Sequence, residues 1–197
     1  MKNSIHKLVA VSLIPLSLTL AACGGDKSEP TAAAPTGISP EKMADALFAV
    51  MEADRAVYTQ KVVKRLVKDE KVIKASEHWQ DDKALPLPAQ MFRFGSERVA
   101  EKTDAFSYSL ISLWPINKQN EPKTSAEKEG LQYMEDNPGK NFYKTESLGG
   151  QSYFTAIYPD VGVSSACVDC HNDHKDTPKS DFKIGDTMGG VVIRIPL

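Results

Sequence analysis

The sequence predicts an α+β domain built on an antiparallel sheet, and three observations carry that expectation. Apolar residues recur at helical spacing through the first half of the chain, from Met43 onward. From Phe106 the period shortens to two, with Phe106, Tyr108 and Leu110 alternating with Ser107 and Ser109, as in a half-buried strand. Glycine pairs at Gly149-Gly150 and Gly189-Gly190 then punctuate the strand-rich half. Helices first and strands after, without strand-helix alternation, favour antiparallel pairing. The expected form is a small sheet covered on one face by helices.

Residues 1–22 read as an export signal. Lys2 and Lys7 precede an apolar run from Leu8 to Leu20, the layout of a signal peptide. That run contains Ser12, Pro15, Ser17 and Thr19 and falls short of the roughly 20 apolar residues a membrane span needs. It ends in Leu20-Ala21-Ala22-Cys23, which resembles a bacterial lipobox. The resemblance implies that Cys23 is acylated and becomes the mature N-terminus. It also implies a lipid-anchored protein on the periplasmic side, in the outer membrane because Gly24 rather than an aspartate follows. Several acyl chains together give stable anchoring. Residues 24–39 are, apart from Ile38, Gly, Ser, Pro, Thr, Ala and charged residues without apolar periodicity, so residues 23–39 read as a lipidated flexible tether. Residues 40–197 form the folded domain and suffice for one core. Loss of two lysines with the signal takes the net charge from −2 to −4, which argues against nucleic-acid binding through a basic surface.

Within the domain, Ser39-Pro40-Glu41 offers an N-cap, a proline at the first helical position and an acid in the first turn. Met43, Leu47, Val50, Met51, Val57, Tyr58, Val62 and Leu66 continue as one long amphipathic helix to about Lys68. A second helical stretch is expected around Lys71–Trp79, broken by Leu85-Pro86-Leu87-Pro88 before a further helix from Pro88 to Glu101. The first strand should run to Trp114, followed by a loop from Pro115 to Lys123. Thr124 with Glu127 is a capping-box pattern opening a short helix that Asn137-Pro138-Gly139 closes. Phe142–Ser147 and Ser152–Tyr158 flank Gly149-Gly150 as a hairpin, and Val191–Ile195 forms the last strand.

Chemistry concentrates at Cys167-Val168-Asp169-Cys170-His171. Two thiols at this spacing followed by an imidazole suit covalent attachment of one haem c, with Cys167 and Cys170 forming thioethers and His171 ligating iron as the proximal ligand. A thioredoxin-type redox pair would want a long apolar helix after the cysteines, which is missing. A structural zinc site could recruit Cys167, Cys170, His171 and His174, but adjacent Cys170 and His171 would have to converge on one tetrahedral ion. With Cys23 assigned to lipid and two cysteines to haem, no thiol remains for a disulfide.

The sixth position on iron separates electron transfer from ligand binding. Tyr58 on the long helix and His78 in the following segment are the distal candidates. Met91 competes with a packing role, and His174, one turn beyond His171, points away from iron.

Taken together the chain resembles the single-haem, PAS-like c-type haem sensor domains of chemotaxis receptors and stand-alone cyanobacterial haem proteins. The resemblance spans about Glu41 to Leu197. It rests on Trp114-Pro115-Ile116-Asn117 with Asn120 and Pro122, on Ser165-Ala166-Cys167-Val168-Asp169-Cys170-His171-Asn172, and on Pro178-Lys179, Gly185-Asp186, Gly189-Gly190 and Ile195-Pro196-Leu197. It implies a PAS-like antiparallel sheet with a long N-terminal helix and helical cover, haem c in the C-terminal part, and His171 as axial ligand. Some members of that family take a distal sulfur from the N-terminal helix. The matching stretch here, Val57-Tyr58-Thr59-Gln60, offers Tyr58 and no sulfur.

Two functions follow as expectations. One is a lipid-anchored haem protein that senses redox state or a diatomic ligand. The other is a periplasmic electron-transfer cytochrome c. Either requires an exported redox or signalling partner. No paired distal acid and base marks an enzyme.

Overall fold

The computed structural model describes residues 37–197. Cys23, the export signal and residues 24–36 of the tether lie outside the described residues. No helix among the described residues is long and apolar enough to cross a membrane.

Helix α1 spans Pro40–Val57, and the Ser39 side chain accepts from the Lys42 N–H at 3.3 Å, as the capping signal requires. It continues without interruption, but from Tyr58 to Asp69 the rod widens into a π-helix. The expected single helix is therefore one rod with two windings. Thr59, Val62, Val63 and Val67 are β-branched and weaken the α-form. Lys64–Asp69 (2.8 Å) and Arg65–Glu70 (2.6 Å) pair at i,i+5, a spacing that faces one side only in the wider winding. π-Turns are rare and gather at functional sites.

The helix expected at Lys71–Trp79 does not form. Lys71 and Lys83 take left-handed backbone angles, φ 56° and 48°, and Ala75 bridges Leu85 in parallel, so the intervening chain closes on itself as a loop. Local polar groups outcompete the helix. Ser76 donates to Asp82 at 2.5 Å and accepts from the His78 N–H at 3.1 Å. Helix α2, Pro88–Ala100, follows the prolines, and the Gln90 side chain caps it by accepting from the Leu87 N–H at 2.9 Å.

Strand β1 covers Ser107–Ile111 and stops short of the expected Trp114. Its ladder ends because Ser112 turns its hydroxyl onto the Met188 carbonyl (2.7 Å) and accepts the Trp114 N–H (3.0 Å), lifting Trp114 off the sheet. A short 3₁₀ turn at Lys118–Asn120 leads to α3, Ser125–Asp136, opened by the Thr124/Glu127 capping box. Strands β2 (Phe142–Leu148) and β3 (Gln151–Val161) form the hairpin, with Gly149 and Gly150 at φ 59° and 87° as a primed turn demands. Helix α4, Ser165–Asp173, precedes β4, Thr187–Pro196.

The sheet is four-stranded and antiparallel, in the order β1-β4-β3-β2. The α+β expectation, with a long N-terminal helix and helical cover, holds. Contrary to the expectation of cover on one side, helices pack against both faces of the sheet. Ala156, Tyr158, Val191, Ile193 and Ile195 face α1 and α2, meeting Ala44 and Phe92. Ile157, Val192 and Ile111 face α3, meeting Leu131 and Met134. β4 is apolar at nearly every position, which is how a strand buried on both sides reads. Gly190 makes the close approach possible, since a Cβ there would lie 2.9 Å from both Ile157 and Met134 side chains.

The α3 face also holds a buried polar network. Arg194 donates to Glu127 at 2.7 Å and to Glu146 at 3.0 Å, and Thr155 donates to the same Glu146 oxygen at 2.7 Å. Glu127 is the capping residue of α3, accepting the Thr124 N–H at 3.0 Å, so one carboxylate closes a helix end and neutralises a buried arginine.

Candidate functional site

Helix α4 begins four residues after β3, and its nine residues set Cys167, Cys170 and His171 at i, i+3 and i+4, one face of an α-helix. Between them Val168 points inward, packing with Phe182 and Met188, while Trp114 and Cys167 border the same cluster. The motif therefore sits on a helix anchored through Val168, with Cys170 on its exposed side. Cys167 is half-buried and Cys170 exposed, both as free thiols. The Ser164 hydroxyl lies 3.5 Å from the Cys167 sulfur.

Asn172 locks this helix to the segment that leads into β4. Its amide donates to the Phe182 carbonyl at 2.9 Å and its oxygen accepts the Phe182 N–H at 3.0 Å, a two-point clamp that mimics a strand partner. Phe182 then presents its ring edge-on to His171, with centroids 6.2 Å apart, and to Trp114 at 5.8 Å. Lys179 lies over both rings, 5.2 Å from Trp114 and 5.1 Å from Phe182. The orientation of His171 is thus set by an aromatic neighbour whose backbone is itself fixed.

His171 is the one group among the described residues that buries a polar side-chain atom without any hydrogen-bond partner, at Nδ1. Burial, with His174 nearby, pushes its pKa below the ordinary 6.5, so the imidazole is neutral with a lone pair to give. A buried, unpaired imidazole costs about 1–3 kcal/mol. Such a residue beside two free thiols on one helical face is a donor set that fits a covalently held haem. No three-ligand His, Cys, Asp or Glu cluster suited to a metal ion occurs among the described residues, so the zinc alternative finds no support in the geometry.

The π-helix packs against α4, and Lys68 reaches Asp169, the residue between the two cysteines, at 3.3 Å. Toward the N-terminal end of the same rod, Arg55 pairs with Asp160 at the end of β3 and stands over the Phe92 ring at 5.5 Å. Burial pulls the Arg55 guanidinium below its usual range.

The distal candidates are scattered. Tyr58, at the α-to-π junction, donates its hydroxyl to the Pro86 carbonyl at 2.8 Å, and burial raises its pKa above 10. It stands as a neutral phenol already engaged. His78 lies on the loop with its side chain 73% exposed, 3.6 Å from Glu77. Met91 is half-buried on α2. His174 accepts the Asp176 N–H at Nδ1 (3.1 Å), and its Nε2 lies 4.0 Å from Glu77, beyond hydrogen-bond distance. Surface hollows of about 550 and 270 Å³ border Asp104, Tyr153 and Pro196, residues that take no part in the motif.

Sequence reasoning missed Asn172, Phe182 and Met188 as parts of this site. The first had a signal, its place directly after the motif; the others are brought in only by tertiary packing.

An α+β domain that carries a Cys-x-x-Cys-His helix between its last two strands is the class of protein that fold and site define. The chain belongs to the Tll0287-like family, whose model matches residues 38–196. Among solved structures, it is similar to the crystal structure of the cyanobacterial haem protein Tll0287, with TM-score 0.54 and 16% identity over 81% of this chain and 97% of that one. That level of identity carries the fold. No protein of curated function matches the chain.

Proposed function

We propose that this chain is a lipid-anchored, single-haem c-type protein that binds a diatomic ligand or senses redox state on the periplasmic side of a bacterial membrane. Cys167 and Cys170 hold the porphyrin, His171 supplies the proximal nitrogen and Cys23 carries the lipid. When bound, the haem supplies an iron whose sixth position can exchange ligands. Membership of the matched family, together with the likeness to a cyanobacterial haem protein, supports haem binding. The reading is non-catalytic and needs an exported partner to carry the signal onward.

The observation that carries ligand binding is the composition of the helix facing α4. Tyr58–Asp69 contains no His, Met or Cys, and its one phenol is tied to Pro86. No strong sixth ligand is thereby offered from that side, which leaves room for a small molecule. Electron transfer is the second reading. It is favoured by the exposure of Cys170, since a thioether at the surface brings the porphyrin edge toward a docking partner.

Absorption and electron paramagnetic resonance spectra of the mature protein separate the two. Ligand sensing predicts a change in the reduced spectrum under carbon monoxide, retained in Tyr58→Phe and His78→Ala. A low-spin spectrum indifferent to carbon monoxide, turning high-spin in His78→Ala, would show a six-coordinate carrier instead.

A further inference from the structure

The two nitrogens of His171 are placed differently. Nδ1 is buried and finds no hydrogen-bond partner among the described residues, whereas Nε2 is not closed in, which leaves Nε2 as the nitrogen that can reach iron. The groups around the ring do not answer Nδ1. Phe182, edge-on to the imidazole with centroids 6.2 Å apart, belongs to an apolar cluster with Val168 and Met188. The acceptors next in the chain and next in the fold are turned to one another: the Asn172 amide oxygen accepts the Phe182 N–H at 3.0 Å, and the Phe182 carbonyl accepts the Asn172 amide at 2.9 Å. His174, the next histidine along, uses its Nδ1 to accept the Asp176 N–H at 3.1 Å.

A histidine that ligates a metal ordinarily donates its second ring N–H to a carboxylate, a backbone carbonyl or a water, and that bond strengthens it as a ligand. With Nε2 on iron, the hydrogen of the neutral ring resides on Nδ1, where His171 has no acceptor. The imidazole is then a weak donor, and a weak proximal bond discriminates among diatomic ligands. Carbon monoxide and dioxygen leave the ligand opposite them in place. Nitric oxide on ferrous iron puts its unpaired electron into an orbital that is antibonding toward the opposite ligand, so a weak one is expelled. We propose that nitric oxide is the ligand this site answers to, and that it acts by releasing His171 from the iron. This rests on the haem reading above and deepens it by naming the ligand and the bond it breaks. A bond forms between iron and the nitrogen of nitric oxide, and the iron–Nε2 bond breaks with its electron pair returning to Nε2. No proton is exchanged, because Nδ1 keeps its hydrogen throughout. The thioethers of Cys167 and Cys170 hold the porphyrin while the imidazole leaves.

The test uses the full-length haem-loaded protein in its reduced form, with nitric oxide and carbon monoxide as probes. Under nitric oxide, electron paramagnetic resonance should show the three-line splitting of a nitrosyl haem with no nitrogen opposite. Under carbon monoxide the adduct should stay six-coordinate with His171 bound. Photolysis of that adduct exposes the iron–His171 vibration to resonance Raman, and its frequency should be the low one of an imidazole without an acceptor. Nitrosyl lines that are each split again by a histidine nitrogen, or an iron–histidine vibration at the high frequency of a hydrogen-bonded imidazole, would overturn the inference. Both measurements are made on the wild-type chain, so neither depends on a variant that folds. Protein that acquires no haem overturns the underlying reading, and the inference with it; loaded protein that keeps His171 on iron under nitric oxide overturns the inference alone.

Discussion

Two buried polar clusters in this molecule behave in opposite ways. On the α3 face of the sheet, Arg194, Glu127, Glu146 and Thr155 answer one another's charges and hydrogen bonds at 2.7–3.0 Å. On α4, His171 buries a nitrogen that nothing answers. The first cluster is complete and holds α3 to the sheet. The second is open, flanked by two unpaired thiols, and its unmet bonding capacity identifies where a further group belongs. Stability and the proposed function thus rest on separate parts of one small domain.

The comparison breaks most visibly at Arg194. Arg194→Ala leaves two buried carboxylates without their cation and should cost about 3–5 kcal/mol in urea unfolding. The pH dependence sharpens it. Glu146 sits below its ordinary 4.5: burial raises it, but hydrogen bonds from Thr155 and Thr124 and the pairing with Arg194 together outweigh that. A depressed carboxyl contributes stability that is fully present above about pH 4.5 and is lost as pH falls through its lowered folded value. The wild-type protein should therefore lose stability in acid along a limb that Arg194→Ala flattens.

A smaller effect is expected at Gly190. Valine there drives its side chain into Ile157 and Met134, and overpacking of this kind costs about 1–3 kcal/mol, read as a lower midpoint of thermal unfolding. The smallest belongs to the open cluster. His171→Ala breaks no side-chain hydrogen bond, and relief of the unpaired buried nitrogen offsets the packing lost against Phe182, so the haem-free protein should change by under about 1 kcal/mol, while in the loaded protein the thioethers would keep the porphyrin and only the proposed imidazole ligation would be lost. A large destabilisation of the haem-free protein by His171→Ala would erase the distinction between the clusters.

Much of the architecture was legible because the signals were local. Ser39-Pro40, Thr124/Glu127 and Gly149-Gly150 each act within a few residues, and each does in the structure what its chemistry predicts. The errors arose where contacts beyond a single turn overrode the periodic pattern. Lys71–Trp79 has a helical pattern, yet Ser76 and the Ala75–Leu85 bridge hold it as a loop. Trp114 continues an apolar strand pattern, yet Ser112 is bonded to Met188, 76 residues away. The second helical cover was hidden in β4, where an apolar run at every position reports two buried faces rather than one.

The candidate site divides along the same line. Cys167, Cys170 and His171 could be read directly as a candidate site, because the Cys-x-x-Cys-His spacing is local to five residues. Their support could not, since Asn172, Phe182 and Trp114 meet them only through the turns around α4. The widening of the helix at Tyr58 gave no sequence signal either, beyond a run of β-branched residues.

The most direct measurement is the mass and absorption spectrum of the peptide spanning Cys167–His171 from protein exported by a host with working cytochrome c maturation. The expected result is a coloured peptide carrying one haem, with both thiols closed to alkylating reagent. A colourless peptide in which Cys167 and Cys170 both take up the reagent would contradict covalent haem attachment at this helix.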